Sequence, residues 1–283
     1  MVNDRWMEDT VESLKEELRR IEEWEEDQRD LWFWERLGRL PFALLDRMMP
    51  KAVHDRIGQL LDELGNYIQT GGQYLIDEAP VMRRLAETAG RPGAFLTPEK
   101  AADLPLACLN RASEEIKASH VRFARYQGAV TGLGGLFTLA ADIPLLLGTS
   151  LKVIQEMALV YGYDPRIPSE RAFAVYCLQF SSSDIVGKRA ILSRLSSWET
   201  GERMRESVSL LEGWREVIMN YGDQWGWKKL FQMVPVAGAI FGAWINQSAV
   251  EEVAEAARMM YRKRRVLAKL EKMEGASRPE GPR

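Results

Sequence analysis

Residues Gly128 to Gly148 form an apolar, glycine-rich run whose only charge is Asp142, and this run constrains the fold more than any other stretch. It is nearly long enough to cross a bilayer, which takes about 20 apolar residues. The Asp142-Ile143-Pro144 sequence interrupts it, and an ionised carboxylate and a helix-breaking proline are both costly in lipid unless something satisfies them. The reading is therefore two helices joined at Asp142-Ile143-Pro144, a helical hairpin that makes the tightly packed centre of the molecule. Three roles stay open for Asp142. Capping a helix that starts at Pro144 is the simplest; a buried pair with Lys152, Lys228 or Lys229, and a proton or ion role, are the others.

A second apolar segment, Val234 to Asn246, echoes the first. Gly238 and Gly242 stand four apart, as do Gly128 and Gly132, with Gly134 and Gly135 just beyond. Glycines at this spacing share one helix face and let two backbones approach closely. Elsewhere apolar residues recur every three to four positions: Val11, Leu14, Leu18, Ile21 and Trp24 within a helix from Trp6 to Leu37, then an apolar stripe from Val53 to Ile68 within a second helical region, Pro50 to Ala79, that Gly71-Gly72 interrupts. Thr97-Pro98 reads as an N-cap followed by the first helical residue, and Leu104 to Gln127 as an amphipathic helix leading into the glycine run. Leu147 to Tyr161 has helical spacing and stops at Gly162; Ser169–Phe180, Ile185–Trp198 and Met204–Tyr221 follow, and a last helix reaches about Met273. No alternating strand pattern intervenes, so the fold class is all-α: a multi-helix bundle around two glycine-rich apolar hairpin segments. The Arg91-Pro92-Gly93 turn divides a 1–92 helical arm from a 93–273 helical domain, with 274–283 as a tail.

Charge is distributed unevenly. Residues 1–36 hold 13 acidic and 6 basic side chains, while 258–283 hold 9 basic and 3 acidic, although the whole chain nets only -3. That balance excludes a general nucleic-acid binder. Two readings compete for the basic cluster Arg262, Lys263, Arg264 and Arg265: solvated or mutually attracting chain ends, or a contact for anionic lipid or an acidic partner. Trp32, Phe33 and Trp34 cannot all face one side of a helix and are candidates for the same kind of contact. Cys108 and Cys177 stand alone without metal-ligand spacing, which fits a reducing cytoplasm. No phosphate loop, nucleophile elbow or zinc motif is present, and the two histidines, His54 and His120, read as solvated or core residues. Hence no catalytic residue, metal or cofactor is assigned.

The Gly128-Ala-Val-Thr-Gly-x-Gly-Gly motif, Ala141-Asp142-Ile143-Pro144, Tyr161-Gly162-Tyr163-Asp164, and Val234-Pro235-x-x-Gly238-Ala-x-x-Gly242 with Asn246 and Tyr261-Arg262 resemble the EcsC family, over roughly Leu104 to Leu270. That family takes its name from a bacterial protein encoded beside an ABC transporter. The resemblance implies a membrane-transport context without a mechanism, and makes the glycines and Asp142 family features. The expected function is a non-enzymatic cytoplasmic helical protein, peripheral at the inner face of the plasma membrane or bound to a membrane transporter complex. The alternative is a binding module or enzyme for a lipid-like ligand held between the hairpins and oriented by Asp142 or Asn246.

Overall fold

The computed structural model describes residues 8–28, 63–132, 136–182, 185–196 and 238–276. All regular structure among them is helical, with no strand. The helices are α1 (Val11–Asp27), α2 (63–70), α3 (Ala79–Thr88), α4 (Pro98–Ala102), α5 (Leu106–Gly132), α6 (Leu136–Val160), α7 (Pro168–Ser182), α8 (Ile185–Ser196) and α9 (Gly238–Ala276), with a short 3-10 turn at Gly72–Tyr74.

Local sequence explains several helix ends. Thr10 caps α1 in a capping box: its hydroxyl accepts from the Ser13 amide at 3.1 Å while Ser13 Oγ accepts from the Thr10 amide at 2.9 Å. Thr97 caps α4 with its hydroxyl alone, which accepts from the Lys100 amide at 3.4 Å, with Pro98 at the first helical position as the sequence predicts. Helix α6 stops at Gly162, whose φ is +80°, and the Tyr163 amide donates back to the Ala158 carbonyl at 2.8 Å. This glycine is required twice over, because a Cβ there would stand 2.7 Å from Ala102 Cβ and 2.8 Å from the Pro98 carbonyl oxygen. Gly71 and Gly72, both at positive φ, end α2 where the sequence places an interruption.

One segment differs from the expectation. Helix α6 runs unbroken through Asp142 and Pro144, so Asp142 is an interior helical residue and does not cap a new helix. Proline inside a helix removes a single i→i−4 bond at a cost of about 3 kcal/mol. Unravelling a helix whose next turns bury Leu147, Leu151 and Ile154 would forfeit more. The hairpin reading of Val234 to Asn246 lies partly outside the described residues; from Gly238 onward this segment is the start of α9, one continuous helix to Ala276. Met204–Tyr221 also lies outside the described residues, as does the helix from Trp6 beyond Gln28.

Helices α5, α6 and α9 make the central layer, with α9 packed along α5. Helix α1 lies on α9 through Leu14 and Ile21, both fully buried, and Trp24 meets Phe180 of α7 with ring centroids 5.7 Å apart. Buried Gln155 of α6 donates to the Tyr74 carbonyl at 2.8 Å and ties the Gly71–Ile76 loop to the same core.

Candidate functional site

Side-chain pairs fix the register of the central helices. Lys117 of α5 meets Glu255 of α9 at 2.6 Å, and Arg258 of α9 meets Glu114 of α5 at 2.9 Å, so these two helices run antiparallel. Ser113 and Asn110 bond the Tyr161 hydroxyl at 3.1 and 3.0 Å, and His120 Nε2 lies 2.9 Å from Glu156 Oε2, so α5 and α6 are antiparallel as well. One end of the three-helix layer therefore carries the start of α5, the end of α6 and the last turns of α9. The opposite end carries the end of α5, the start of α6 and the start of α9.

The first end is a charged lock. Arg264 makes two parallel 2.8 Å bonds to the Glu170 carboxylate, both side chains about nine-tenths buried. Its guanidinium lies 4.0 Å from the Tyr163 ring centroid and 4.3 Å from that of Phe173. Burial alone would lower the pKa of Arg264, but the hydrogen bonds and charge of Glu170 hold it above its usual value. Arg265 donates to the carbonyls of Tyr161 at 2.7 Å and Gly162 at 3.3 Å, satisfying the end of α6. Arg262 pairs with Glu17 and Lys263 with both oxygens of Glu25 at 3.0 Å. Lys269 bridges Asp9 and the Leu104 carbonyl, each at 2.7 Å, while the other oxygen of Asp9 accepts from the Leu106 amide at 2.9 Å. The acidic α1 is thus held on basic α9 by ions from opposite ends of the sequence.

The second end carries almost no charge. Asp142 is the sole charged residue between Arg125 and Lys152, and none occurs from Leu230 to Val250. Large apolar side chains stand exposed here: Phe123 (53%), Tyr126 (76%) and Val130 (70%) on α5, Leu145 (46%) on α6 and Trp244 (55%) on α9. Phe123, Tyr126 and Val130 follow i, i+3, i+7 spacing and form one stripe. Counting about 1.5 Å per residue from the Lys117–Glu255 pair, Gly128 and Trp244 sit at the same level, about 16 Å further along; counting likewise from the His120–Glu156 pair puts Leu145 beside Val130.

The register brings several sequence candidates together. Gly128, which is buried, Gly132 at the end of α5, Asp142 and Pro144 in α6, and Gly238 and Gly242 in the first turns of α9 all belong to this end. Asn246 joins them, 7% exposed, its Nδ2 without a hydrogen-bond partner. Gly134, Gly135, Trp32, Phe33, Trp34 and His54 lie outside the described residues. Arg262, Lys263, Arg264 and Arg265 belong to the opposite end, facing the anions and carbonyls named above. The exposed stripe is what the sequence reading missed. Its signal was the Phe123/Tyr126/Val130 spacing beside Arg122 and Arg125, which reads equally well as a core-facing helix.

Neither thiol is placed for chemistry: Cys108 and Cys177 are buried, and burial pushes Cys108 up to about 11 and Cys177 higher still. A shallow cleft of about 130 Å³ lies at the charged end among Ile76, Asp77, Leu159, Asp164 and Arg166, with Arg166 bridging Asp164 at 2.9 Å and Glu78 at 2.7 Å. No helix among the described residues is long and apolar enough to cross a membrane.

A family model described as "EcsC protein family" matches residues 15–266. The match begins inside α1, so it reaches well before Leu104, where the motif-based resemblance starts. YdbA of Bacillus subtilis (strain 168) is 46% identical over 263 residues, covering 93% of this chain and 96% of that protein. Protein EcsC of the same organism is 32% identical over 160 residues, covering 56% of this chain and 64% of EcsC. No solved structure matches.

Proposed function

This chain belongs to the EcsC protein family, and we propose that it is a peripheral, non-enzymatic docking protein that meets a membrane, at its cytoplasmic face or within a membrane transport complex, through the uncharged end of α5, α6 and α9. The observation that carries this reading is the group of five exposed large apolar side chains at an end whose neighbouring sequence holds one charge in two apolar segments. Covering those half-exposed groups is worth on the order of 1 kcal/mol each, about 5 kcal/mol in all. That is the scale of a single acyl anchor, reversible docking and not permanent insertion. The ion-paired end supplies the rigid body behind the contact. Fractionation of cells tests the reading: the protein should pellet with membranes, and Tyr126→Glu with Val130→Glu should release it. A wild-type protein found wholly in the supernatant contradicts it.

A second reading has its own support in Asn246. A buried amide nitrogen without a partner, Asn246 Nδ2 at the apolar end, is the kind of polar group that orients a lipid-like ligand. Native mass spectrometry separates the two: a co-purified lipid lost in Asn246→Leu favours the ligand reading, and an empty protein removes it.

A further inference from the structure

We infer that the docking end recognises anionic lipid through Arg122 and Arg125, which sit where the exposed stripe of α5 meets the charged body of the protein; this rests on the membrane reading above. Both arginines are exposed and neither has an ion pair among the described residues. That sets them apart from the cations of α9 from Arg258 to Lys272, each of which is held by an anion or a carbonyl. Arg122 precedes Phe123, and Arg125 precedes Tyr126. Each guanidinium is thus followed toward the tip by an aromatic ring, and Val130 stands about one turn beyond Tyr126 as an aliphatic tip. This is the order of polarity met on passing from lipid phosphate through the interface into the acyl region. Guanidinium groups suit phosphate oxygens because their donors form a planar fork.

The ring of charge at this level is uneven, which gives the contact an orientation. On α6 the exposed cation is Lys152, 4.0 Å from Glu156, while Glu156 itself is closer to His120, at 2.9 Å. On α9 the same level carries exposed Glu251 and Glu252. An anionic surface therefore attracts the α5–α6 side and repels the α9 side. The molecule leans so that α5 lies nearest the headgroups, the side on which Phe123 and Tyr126 are exposed.

Two arginines near an anionic surface are worth about 1 kcal/mol each at modest salt, which converts to roughly thirtyfold in affinity. The test is binding to vesicles of phosphatidylcholine alone and of phosphatidylcholine with equimolar phosphatidylglycerol. Wild-type protein, Arg122→Glu/Arg125→Glu and Glu251→Lys/Glu252→Lys are compared, each first checked for an unchanged helical melting curve. The expected result is tighter wild-type binding to the anionic vesicles by more than tenfold, shrinking as salt is raised. The arginine variant should lose that preference and keep its weak binding to phosphatidylcholine, and the glutamate variant should bind anionic vesicles at least as tightly as wild type. Equal wild-type binding to both vesicles overturns the inference while the membrane reading stands, as does a preference that survives in the arginine variant. Binding to neither vesicle overturns both.

Discussion

The two ends of α9 solve opposite problems. From Arg258 to Lys272 every cation has a partner on α1, α4–α6 or α7, and several of these pairs are largely buried. From Gly238 to Val250 the same helix has no charge at all and leaves Trp244 outside. The difference teaches that density of charge in a sequence does not locate a charged surface. Four consecutive cations, Arg262 to Arg265, face inward because acidic side chains and helix-end carbonyls meet them there. Among the described residues, the cations without an ion pair beside the apolar end are two isolated arginines of α5, Arg122 and Arg125.

If the charged end is a lock, breaking it costs folding and spares docking. The largest effect is expected for Glu170→Ala, which strands the buried Arg264 guanidinium: about 3–5 kcal/mol less stability in chemical denaturation, with vesicle binding of the folded fraction unchanged. Gly162→Ala combines a left-handed backbone with a Cβ pressed against Ala102 and the Pro98 carbonyl. It should cost about 2 kcal/mol or more, read in the same assay.

A smaller effect is expected from acid. Burial works to raise the Glu255 carboxyl, but Arg258 and Lys117 outweigh it and hold it below its ordinary 4.5. A carboxylate lowered by folding stabilises fully above its unfolded value, and that contribution fades as pH falls through the folded one. Glu255→Gln should therefore flatten the fall in melting temperature below about pH 4.5, while neutral-pH docking stays as in wild type. Smallest in stability is Tyr126→Glu, within about 0.5 kcal/mol of wild type, yet it should cut membrane binding at least tenfold. A large loss of stability instead would mean that Tyr126 belongs to the lock, and the contrast between the ends would fail.

Much of the helical framework was legible because it rests on local chemistry. The Thr97-Pro98 cap, the stop at Gly162 and the apolar spacing of α1 depend on residues within a few positions of one another. What was not legible depends on distance or on competition. Lys263 and Glu25 are 238 residues apart, and only the packing of α1 on α9 brings them together. Pro144 looks like a helix boundary by itself, but the apolar turns that follow it keep α6 continuous. Phe123, Tyr126 and Val130 carry the spacing of a buried stripe; nothing local tells an apolar face that is covered from one that is not. The glycine pairs were found by their spacing, and what the structure adds is that α5 and α9 bring them to the same end.

Because Cys108 and Cys177 are both buried, a cysteine introduced on the surface can carry an environment-sensitive fluorophore selectively. Labels at Val130→Cys and at Lys272→Cys, 70% and 78% exposed in the native protein, compare the two ends in one experiment. On adding anionic vesicles the label at 130 should brighten and shift to the blue while the label at 272 does not change. A shift at 272 with none at 130, or no shift at either, would contradict the assignment of docking to the uncharged end.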